Sequence, residues 1–489
     1  MIYYRVLHLL GVILLFLAGA MALASLWAFV DGSADRSAFG WSILITALSG
    51  LILARGFYDY RHEPVSLTQS FTLVALTWLF AGFFGALPFY FYHAFPSYLD
   101  AFFEAVSGFT TTGATLVGEI EALPRGILFW RSLTQWLGGM GIIVLFVAIL
   151  PRFGFRNLTI FKAELPGPMA AERIVPRVVE AARFLWLIYL GLTLLQAVLL
   201  MLCGVSFYDS LSHALTTMPT GGFSTYDTSI SGLNNPAAEV VIIFFMFFAG
   251  INFALYFRLL RRDMSILKNQ ELRFYIFMLF AATALLFINI YPNTVAGGWE
   301  GIRAAAFQAV SITTTTGYAT ADFDLWPHFS RALIFFLMFT GACGGSTGGS
   351  VKQARLLLMG KYAFRELRRM VHPSAVSSIK LGDKPVPEEM MRGVLGFGFL
   401  YVVFFVFSTL ALAAMGLDFD TAASAVAASI GNVGPGLANV GPTLTYEAVP
   451  AIGRILLCLL MILGRLEIYT VLVLILPEAR RFSARSVIK

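Results

Sequence analysis

The sequence predicts an all-α polytopic membrane protein, in which two leading helices precede four helix–pore-loop–helix units in a pseudo-fourfold arrangement around one pore. Three observations predict this fold class. Of the 489 residues, 58% are hydrophobic and only 13% are charged, which is about half the charged share of a soluble domain. Apolar runs recur that reach the roughly 20 residues needed to span a bilayer. Four polar loops that contain glycine separate pairs of these runs.

The two leading helices are expected within residues 1–71, at about 5–30 and 41–57. The first run has no clear small-residue cleavage site, so we expect it to be a membrane span and not a signal peptide. The cysteines lie inside apolar runs without CxxC spacing, which predicts neither a disulfide framework nor a zinc site. They are Cys203, Cys343 and Cys458.

The rest of the chain repeats one pattern four times, over residues 72–182, 183–272, 273–392 and 393–489. In each unit, a full-length apolar run is followed by a shorter amphipathic segment, a glycine-bearing loop and a second full-length run. The loops contain "GFTTTGAT", "TTMPTGGFST", "SITTTTGYAT" and "SIGNVGPGLANVGP". Superposing them aligns Gly113, Gly221, Gly317 and Gly434, which follow Thr112, Thr220, Thr316 and Val433. The units are therefore domain-sized repeats and not a solenoid.

Charge placement predicts the orientation. The N-terminus, the segment after the second span, the links between units and the tail hold 27 of the 34 Lys and Arg residues. Arg152, Arg156, Lys162, Arg480 and Arg481 are examples. The positive-inside rule places these segments, and with them both termini, in the cytoplasm, so all four glycine loops open from the outer side.

The outer segments are rich in carboxylates. These residues either form an acidic vestibule that concentrates cations or simply tolerate the outer face. They are Asp31, Asp35, Glu119, Glu121, Asp227, Glu300, Asp322, Asp324, Asp418, Asp420 and Glu447.

The four loops have a common chemistry. Irregular backbone survives at membrane depth only where it is buried in protein or lines a wet cavity, so we expect the loops to meet around one axis. There, backbone carbonyls and threonine hydroxyls would replace the water shell of a cation. The preceding segments, such as "YLDAFFEAVSGF" and "FYDSLSHALTTM", have the length of pore helices, whose C-terminal ends carry partial negative charge. Close helix packing is the alternative role for glycine and threonine, but four loops in register favour a filter.

This constellation resembles the superfamily of potassium transporters and channels that includes TrkH, TrkG and KtrB, and specifically the TrkH branch. The resemblance covers nearly the whole chain. It rests on the motifs "LGGMGIIVL" (137–145), "ELPGP" (164–168), "GGFST" (221–225), "GGSTGGSVK" (344–352), "GNVGPGL" (431–437) and "GRLEIYTVLVL" (464–474).

The resemblance implies a homodimeric potassium uptake protein of the bacterial inner membrane, with a cytoplasmic nucleotide-binding ring of the TrkA type as regulator. The nucleotide would bind to that ring, and this chain would carry no cofactor of its own, only K⁺ as the transported ion. By position, the filter would be Thr111, Thr112 and Gly113; Pro219, Thr220 and Gly221; Thr315, Thr316 and Gly317; and Asn432, Val433 and Gly434. Pro219 departs from the small or apolar residue that is usual in the family.

Each loop has only a short signature around one glycine, unlike the TVGYG filter of potassium channels. We therefore expect K⁺ and Rb⁺ to be preferred over Na⁺, but less strictly than in those channels.

Two further features predict a gate beneath the filter. "TGACGGSTGGS", from Thr340 to Ser350, is too flexible and polar for a lipid-facing helix. It lacks the Gly-Lys-Ser/Thr ending of a phosphate-binding loop, and in relatives the equivalent stretch is an intramembrane gate. Its expected tip is Gly344, Gly345, Ser346 and Thr347. Arg465 is a charge deep in an apolar run, so either it faces the pore and repels cations, or it pairs with a carboxylate such as Glu467.

Other functions remain open to different degrees. A secondary transporter that couples K⁺ entry to H⁺ or Na⁺ is the main alternative, although the repeats are parallel and not inverted. An enzyme is disfavoured because the histidines show no ligand spacing, and we expect His213 to be a hydrogen-bonded packing residue. The basic link Lys361–Lys384 contacts either anionic lipid or the cytoplasmic partner. The net charge of +6 is explained by these links, so no nucleic-acid partner is expected.

Overall fold

The computed structural model describes residues 3–63, 66–141, 175–294, 298–373, 378–382 and 384–475. Within this part of the chain, six helices are long and apolar enough to cross a membrane, or seven when one bent pair is counted as a span. The predicted polytopic helical fold is confirmed. The motif "ELPGP", the end of "LGGMGIIVL" and the basic residues Arg152, Arg156, Lys162, Arg480 and Arg481 lie outside the described residues.

The two leading helices pack closely along each other. Helix α1 is Tyr4–Asp31 and α2 is Asp35–Gly56, so α2 begins six residues before the predicted start. A Cβ atom on Gly11 would lie less than 3.0 Å from the backbone of Gly50 and Ala54. Such close backbone contact is how helices associate in lipid, where apolar side chains gain little from leaving the solvent.

Units 1 and 2 contain the next eight helices. Unit 1 has α3 (Leu67–Gly85), α4 (Leu87–Phe91), α5 (Tyr98–Phe109) and α6 (Arg125–Trp136), and a π-helical turn at Leu137–Gly141 follows. Unit 2 has α7 (Val175–Leu202), α8 (Phe207–Thr217), α9 (Pro236–Ala249) and α10 (Phe253–Leu260).

Units 3 and 4 complete the fold. Unit 3 has α11 (Gln270–Thr294), α12 (Gly298–Thr313), α13 (His328–Leu337) and α14 (Gln353–Val371). Two short antiparallel strands, β1 (Lys380–Leu381) and β2 (Lys384–Pro385), lie in the link. Unit 4 has α15 (Glu388–Ala414), α16 (Phe419–Gly431), α17 (Ala451–Arg465) and α18 (Ile468–Ile475). In every unit the first helix begins a few residues before the predicted unit boundary.

The predicted pore helices are α5, α8, α12 and α16. Three of them begin at a side-chain cap, where Ser97, Ser206 and Asp418 accept hydrogen bonds from the backbone N–H groups of Asp100, Asp209 and Thr421. These caps satisfy backbone groups that the first turn leaves free. Each of the four helices runs into a glycine loop, and the caps stabilise the starts of three of them.

In units 2, 3 and 4 the second apolar run is not one continuous helix, which corrects the prediction of a second full-length run there. Unit 2 bends by 95° between α9 and α10, where Asn252 caps the new helix. Unit 4 breaks between α17 and α18, at Glu467, which has a positive φ of 58°. Apolar composition continues through both breaks, so hydropathy alone did not reveal them. Unit 3 breaks at the predicted glycine-rich stretch, between α13 and α14.

Candidate functional site

The four loops repeat one backbone conformation. A residue with φ between 53° and 60° ends each pore helix, and a glycine with φ between 79° and 103° follows two positions later. The first residues are Thr111, Thr220, Thr315 and Asn432, and the glycines are Gly113, Gly222, Gly317 and Gly434. The residue between them donates its N–H to the carbonyl five positions earlier in all four loops. The repeat seen in the sequence is therefore a repeat of backbone geometry.

This geometry corrects the register of the second loop. The predicted triplet was Pro219, Thr220 and Gly221, but the positive-φ glycine is Gly222. The N–H of Gly221 bonds to the carbonyl of Thr216, as that of Thr112 does to Ser107. The equivalent triplet is thus Thr220, Gly221 and Gly222, and Pro219 precedes it. Two adjacent glycines match the pattern equally well in sequence, so only backbone conformation distinguishes them.

The four loops close into a ring. A Cβ atom on Gly113 would lie less than 3.0 Å from the carbonyl oxygen of Gly221 in the next loop. The same relation joins Gly222 to Thr316, Gly317 to Val433, and Gly434 back to Thr112. Each loop therefore abuts the next in the order 1, 2, 3, 4, 1. Only glycine fits between these carbonyls, because any side chain would collide with the neighbouring oxygen.

Several threonine hydroxyls at the ring bond to protein groups, whereas the buried Oγ1 of Thr111 has no hydrogen-bond partner among the described residues. The Oγ1 of Thr112 lies 2.7 Å from the Oγ1 of Thr110 and accepts a 3.0 Å bond from the Nδ2 of Asn432. In loop 3, the hydroxyls of Thr316 and Thr314 are 2.8 Å apart. These bonds differ from the expectation that the hydroxyls face a passing ion. The bond from Asn432 ties loop 4 to loop 1, and the backbone carbonyls are the groups that all four loops supply to the ring.

A fully buried ion pair supports loops 1 and 2 from behind. Arg131 on α6 lies 2.9 Å from Glu104 on α5, and their side chains are 1% and 0% exposed. Arg131 also donates to the carbonyl of Ser224, at 3.2 Å, and stacks 4.2 Å from the ring of Phe223. Glu104 accepts from Thr115, in loop 1, at 2.9 Å. Sequence reasoning missed this pair, because its members are 27 residues apart on different helices.

Unit 2 has a histidine at the equivalent place on its pore helix. His213 is fully buried on α8, and its two ring nitrogens lie 2.8 Å from the carbonyl oxygen of Asp209 and 3.1 Å from the hydroxyl of Ser224. The expectation of a hydrogen-bonded packing residue is confirmed.

The glycine-rich segment between α13 and α14, residues 340–352, lies directly beneath the ring. The N–H of Gly349 donates to the hydroxyl of Thr315 at 2.7 Å, and a Cβ on Gly349 would collide with the carbonyl of Gly431. The hydroxyl of Thr347 donates to the carbonyls of Met218 and Ala249 in unit 2, at 3.0 and 3.3 Å. The segment therefore reaches units 2, 3 and 4. We call it the gate loop.

Arg465 and the predicted tip of the gate loop come together. The Nη1 of Arg465 donates to the carbonyl of Thr347 at 2.7 Å. Its Nη2 donates to the carbonyls of Gly138 and Gly139 in unit 1, at 3.1 and 3.0 Å. The alternative partner, Glu467, instead accepts two bonds from Arg355, at 2.6 and 2.7 Å. Arg465 thus joins the gate loop to unit 1.

A glutamate side chain also bonds to the gate loop, at its predicted tip. The Oε1 of Glu271, which is 7% exposed on α11, accepts from the N–H of Gly344 at 2.5 Å and from that of Ala354 at 3.2 Å. One carboxylate oxygen therefore ties Gly344 in the loop to Ala354 in the first turn of α14.

The chain is similar to known proteins over most of its length. Residues 41–483 match the TrkH family, described as cation transport proteins. The chain belongs to the TrkH family. It is 38% identical to the Trk system potassium uptake protein TrkH of Salmonella typhimurium over 96% of this chain and 98% of the relative. It is 34% identical to TrkG of Escherichia coli K12 over 86% of this chain and 87% of the relative. The crystal structure of the potassium transporter TrkH from Vibrio parahaemolyticus is 35% identical, with a TM-score of 0.88 and coverage of 98% and 100%.

In this TrkH family member, the carboxylates predicted to lie on the outer side differ in their contacts: some pair with arginines, one caps a helix and others are exposed. Asp31 and Asp324 lie 3.6 and 3.0 Å from Arg125 and Arg331. Asp418 caps α16, and the backbone N–H of Thr421 holds the pKa of its carboxyl below the usual range. Glu119, Glu121 and Asp227 are exposed. The predicted vestibule stays a prediction, with several of its carboxylates engaged in structural bonds.

Proposed function

We propose that this protein takes up K⁺ through the ring formed by the four loops. The observation that carries the proposal is the closed cycle of carbonyls from Thr112, Gly221, Thr316 and Val433, each in contact with the glycine of the preceding loop. Four backbone oxygens around one axis replace the water shell of a cation without any charged side chain. The four pore helices add partial negative charge at their C-terminal ends.

The same ring sets the expected selectivity. Carbonyls held by neighbouring loops suit a large, weakly hydrated cation, so K⁺ and Rb⁺ are preferred over Na⁺. The repeated backbone pattern spans only three residues per loop, so fewer stacked rings are available than in a TVGYG filter. Discrimination is therefore less strict.

The conformation described here corresponds to a closed passage. The gate loop lies under the ring, and Arg465 bonds to both Thr347 and the backbone of unit 1. A fixed positive charge on the path repels cations, and this repulsion is strong where water is scarce. Opening requires the gate loop to move aside and the bonds of Arg465 to break.

Regulation and assembly follow the family expectation. The relatives are named as parts of a Trk system, which supports a cytoplasmic partner, here a TrkA-type ring that binds the nucleotide. Arg368 and Arg369, near the end of α14, are exposed and can meet this ring or anionic lipid. The protein acts as a homodimer in the bacterial inner membrane, with both termini in the cytoplasm.

Coupled transport is the second candidate function. Glu271 is a nearly buried carboxylate in a spanning helix, in contact with the gate loop. Ionisable groups in such positions often mark proton or ion pathways. On this alternative, H⁺ or Na⁺ moves with K⁺, and Glu271 responds to the coupling ion.

Ion flux through the purified protein in liposomes tests both candidates. With the candidate ring and nucleotide present, we expect a reversal potential that follows the K⁺ gradient, passage of Rb⁺, and weaker passage of Na⁺ and Li⁺. Equal K⁺ and Na⁺ conductance would refute the selective ring. A reversal potential that shifts with an imposed H⁺ or Na⁺ gradient at constant K⁺ would favour coupled transport.

A further inference from the structure

One residue breaks the repeat behind the ring. In each unit, one helix follows the glycine loop; these helices are α6, α9, α13 and α17. Their N-cap residues are Pro124, Asn235, Pro327 and Pro450. Eleven residues after the cap, units 2, 3 and 4 have a methionine that is fully buried, whereas unit 1 has Gln135. The residues compared are Gln135, Met246, Met338 and Met461.

The equivalence of these positions is supported by packing. Three residues after Gln135 and Met461, the glycines Gly138 and Gly464 both press against a carbonyl at the end of their own pore helix. Gln135 is therefore a polar residue at a position that is apolar in every other unit. It is 0% exposed, and an unpaired buried amide would be unfavourable.

Gln135 finds its partners in loop 2. Its Nε2 donates to the carbonyl oxygen of Gly221 at 2.6 Å, and its Oε1 accepts from the N–H of Phe223 at 3.0 Å. The first of these partners is a member of the carbonyl ring. Gln135 thus holds the backbone on both sides of Gly222.

In loop 2, the residue that contributes its carbonyl to the ring has no side chain. Its carbonyl residue is Gly221, whereas the other three loops have the branched residues Thr112, Thr316 and Val433. A Cβ on Gly221 would lie less than 3.0 Å from the side-chain amide of Gln135. The glutamine of unit 1 therefore occupies the space that a branched side chain of loop 2 would fill.

We propose that Gln135 is a positioning residue that sets ion selectivity by fixing the Gly221 carbonyl in the ring. The peptide between Gly221 and Gly222 has glycine on both sides, so it rotates more freely than its counterparts. Rotation of that peptide would remove one of four oxygens and leave the ring open to water. The two bonds from Gln135 prevent this rotation. This inference rests on the proposed function of the ring.

Three variants test the proposal in bi-ionic K⁺/Na⁺ reversal-potential recordings. Gln135→Met installs the residue of the other units but leaves Gly221 without support. Gly221→Thr introduces the branched residue but collides with Gln135. The double variant recreates the pairing found in the other three units, and Thr is tolerated because the φ of Gly221 is not positive.

We expect each single variant to lower the K⁺/Na⁺ permeability ratio about tenfold, because it loses roughly one or two buried hydrogen bonds. The double variant should return the ratio to within about twofold of wild type. Met246→Leu serves as the matched control at the equivalent position of unit 2 and should leave the ratio unchanged. Thermal unfolding of all variants is measured in parallel, because a purely structural role would change stability without changing the ratio. If Gln135→Met does not fold, a folded and selective double variant supports the proposal.

Three results would overturn the inference alone: an unchanged ratio in Gln135→Met, a lowered ratio in Met246→Leu equal to that in Gln135→Met, or a double variant that is unfolded or as unselective as the single variants. A wild-type protein that does not distinguish K⁺ from Na⁺ would instead overturn the proposed function, and this inference with it.

Discussion

The ring and the layer beneath it follow opposite rules. In the ring, four loops of different sequence adopt the same backbone angles, and each loop contacts the next in the same way. Four residues after Gln135, Met246, Met338 and Met461, the equivalent positions of the four units are Gly139, Gly250, Ala342 and Arg465. The backbone differs at each of them: unit 1 has a π-helical turn, unit 2 a 95° bend, unit 3 the gate loop, and unit 4 a break after the arginine. Symmetry is kept where an ion would be coordinated and is abandoned where the passage would open and close.

The difference has a physical basis. A cation on the axis needs similar oxygens on all sides, and backbone carbonyls provide them whatever the side chains are. A gate needs an element that can take two positions, and one such element is enough for one passage. Replacing residues of the ring should therefore affect ion selectivity or conduction. Replacing residues of the layer beneath it should affect the stability of the closed state.

The largest effect is expected from Gly222→Ala in the ring. The new Cβ would collide with the carbonyl of Thr316 and would sit at a φ of 81°, a conformation that strains an L-residue by roughly 1–2 kcal/mol before any collision. K⁺ uptake should fall to background in a potassium-dependent growth assay. Gly118→Ala is the matched control, since nothing lies within 4 Å of its Cβ position. Normal uptake by Gly222→Ala would contradict the corrected register.

The next effect concerns the support behind the ring. Arg131→Met leaves Glu104 charged and buried without its partner, which costs about 3–5 kcal/mol of stability when a buried pair is broken. A much lower midpoint of thermal unfolding in detergent is the expected result. Arg125→Met removes an exposed arginine that lies 3.6 Å from Asp31 and should change stability by less than about 1 kcal/mol. Similar stability losses in the two variants would mean that the buried pair has no special role.

In the gate layer, Arg465→Ala should act in the opposite direction. It removes three bonds from a charged donor, to Thr347, Gly138 and Gly139, and bonds of this kind contribute about 1.5–3 kcal/mol each. Basal cation flux in liposomes without the partner should rise at least about tenfold, with the K⁺/Na⁺ ratio unchanged. Arg465→Lys keeps the charge but cannot bond to the gate loop and to unit 1 at the same time, so an intermediate flux is expected. A changed ratio with unchanged flux would assign Arg465 to the ring and not to the gate.

Glu271→Gln should give the smallest effect. The amide still accepts from Gly344 and Ala354, but without charge, which weakens the two bonds by about 1 kcal/mol in total. Basal flux should rise about fivefold, and thermal stability should change little. The control is Glu300→Gln, which changes an exposed carboxylate in the first turn of α12 and should match wild type. A fall in flux, together with a lost response to a pH gradient, would point to coupled transport instead.

Sequence alone predicted the features that repeat or that carry unusual composition. The four loops, the short pore helices and the glycine-rich gate loop all stand out from apolar surroundings. The register of loop 2 did not, because Gly221 and Gly222 are adjacent and only the backbone angles separate them. The bend at Gly250 and the break at Glu467 were missed because the apolar runs continue across them.

Contacts between distant residues were beyond the reach of the sequence. Gln135 lies 86 residues from Gly221, and its role depends on the close approach of unit 1 to loop 2. A comparison of equivalent positions in the second helices was the signal that could have found it, since three methionines and one glutamine occupy them. That comparison needs the start of each helix, which the caps define only in the structure.

Anomalous diffraction from crystals grown in Rb⁺ is the most direct test of whether the four carbonyls of the ring bind the transported cation. We expect an anomalous peak on the axis of the ring, within coordination distance of the carbonyl oxygens of Thr112, Gly221, Thr316 and Val433. The anomalous peak should disappear when Rb⁺ is exchanged for K⁺. No peak at the ring in protein that transports Rb⁺, or a peak bound instead by side-chain carboxylates elsewhere in the membrane, would contradict it.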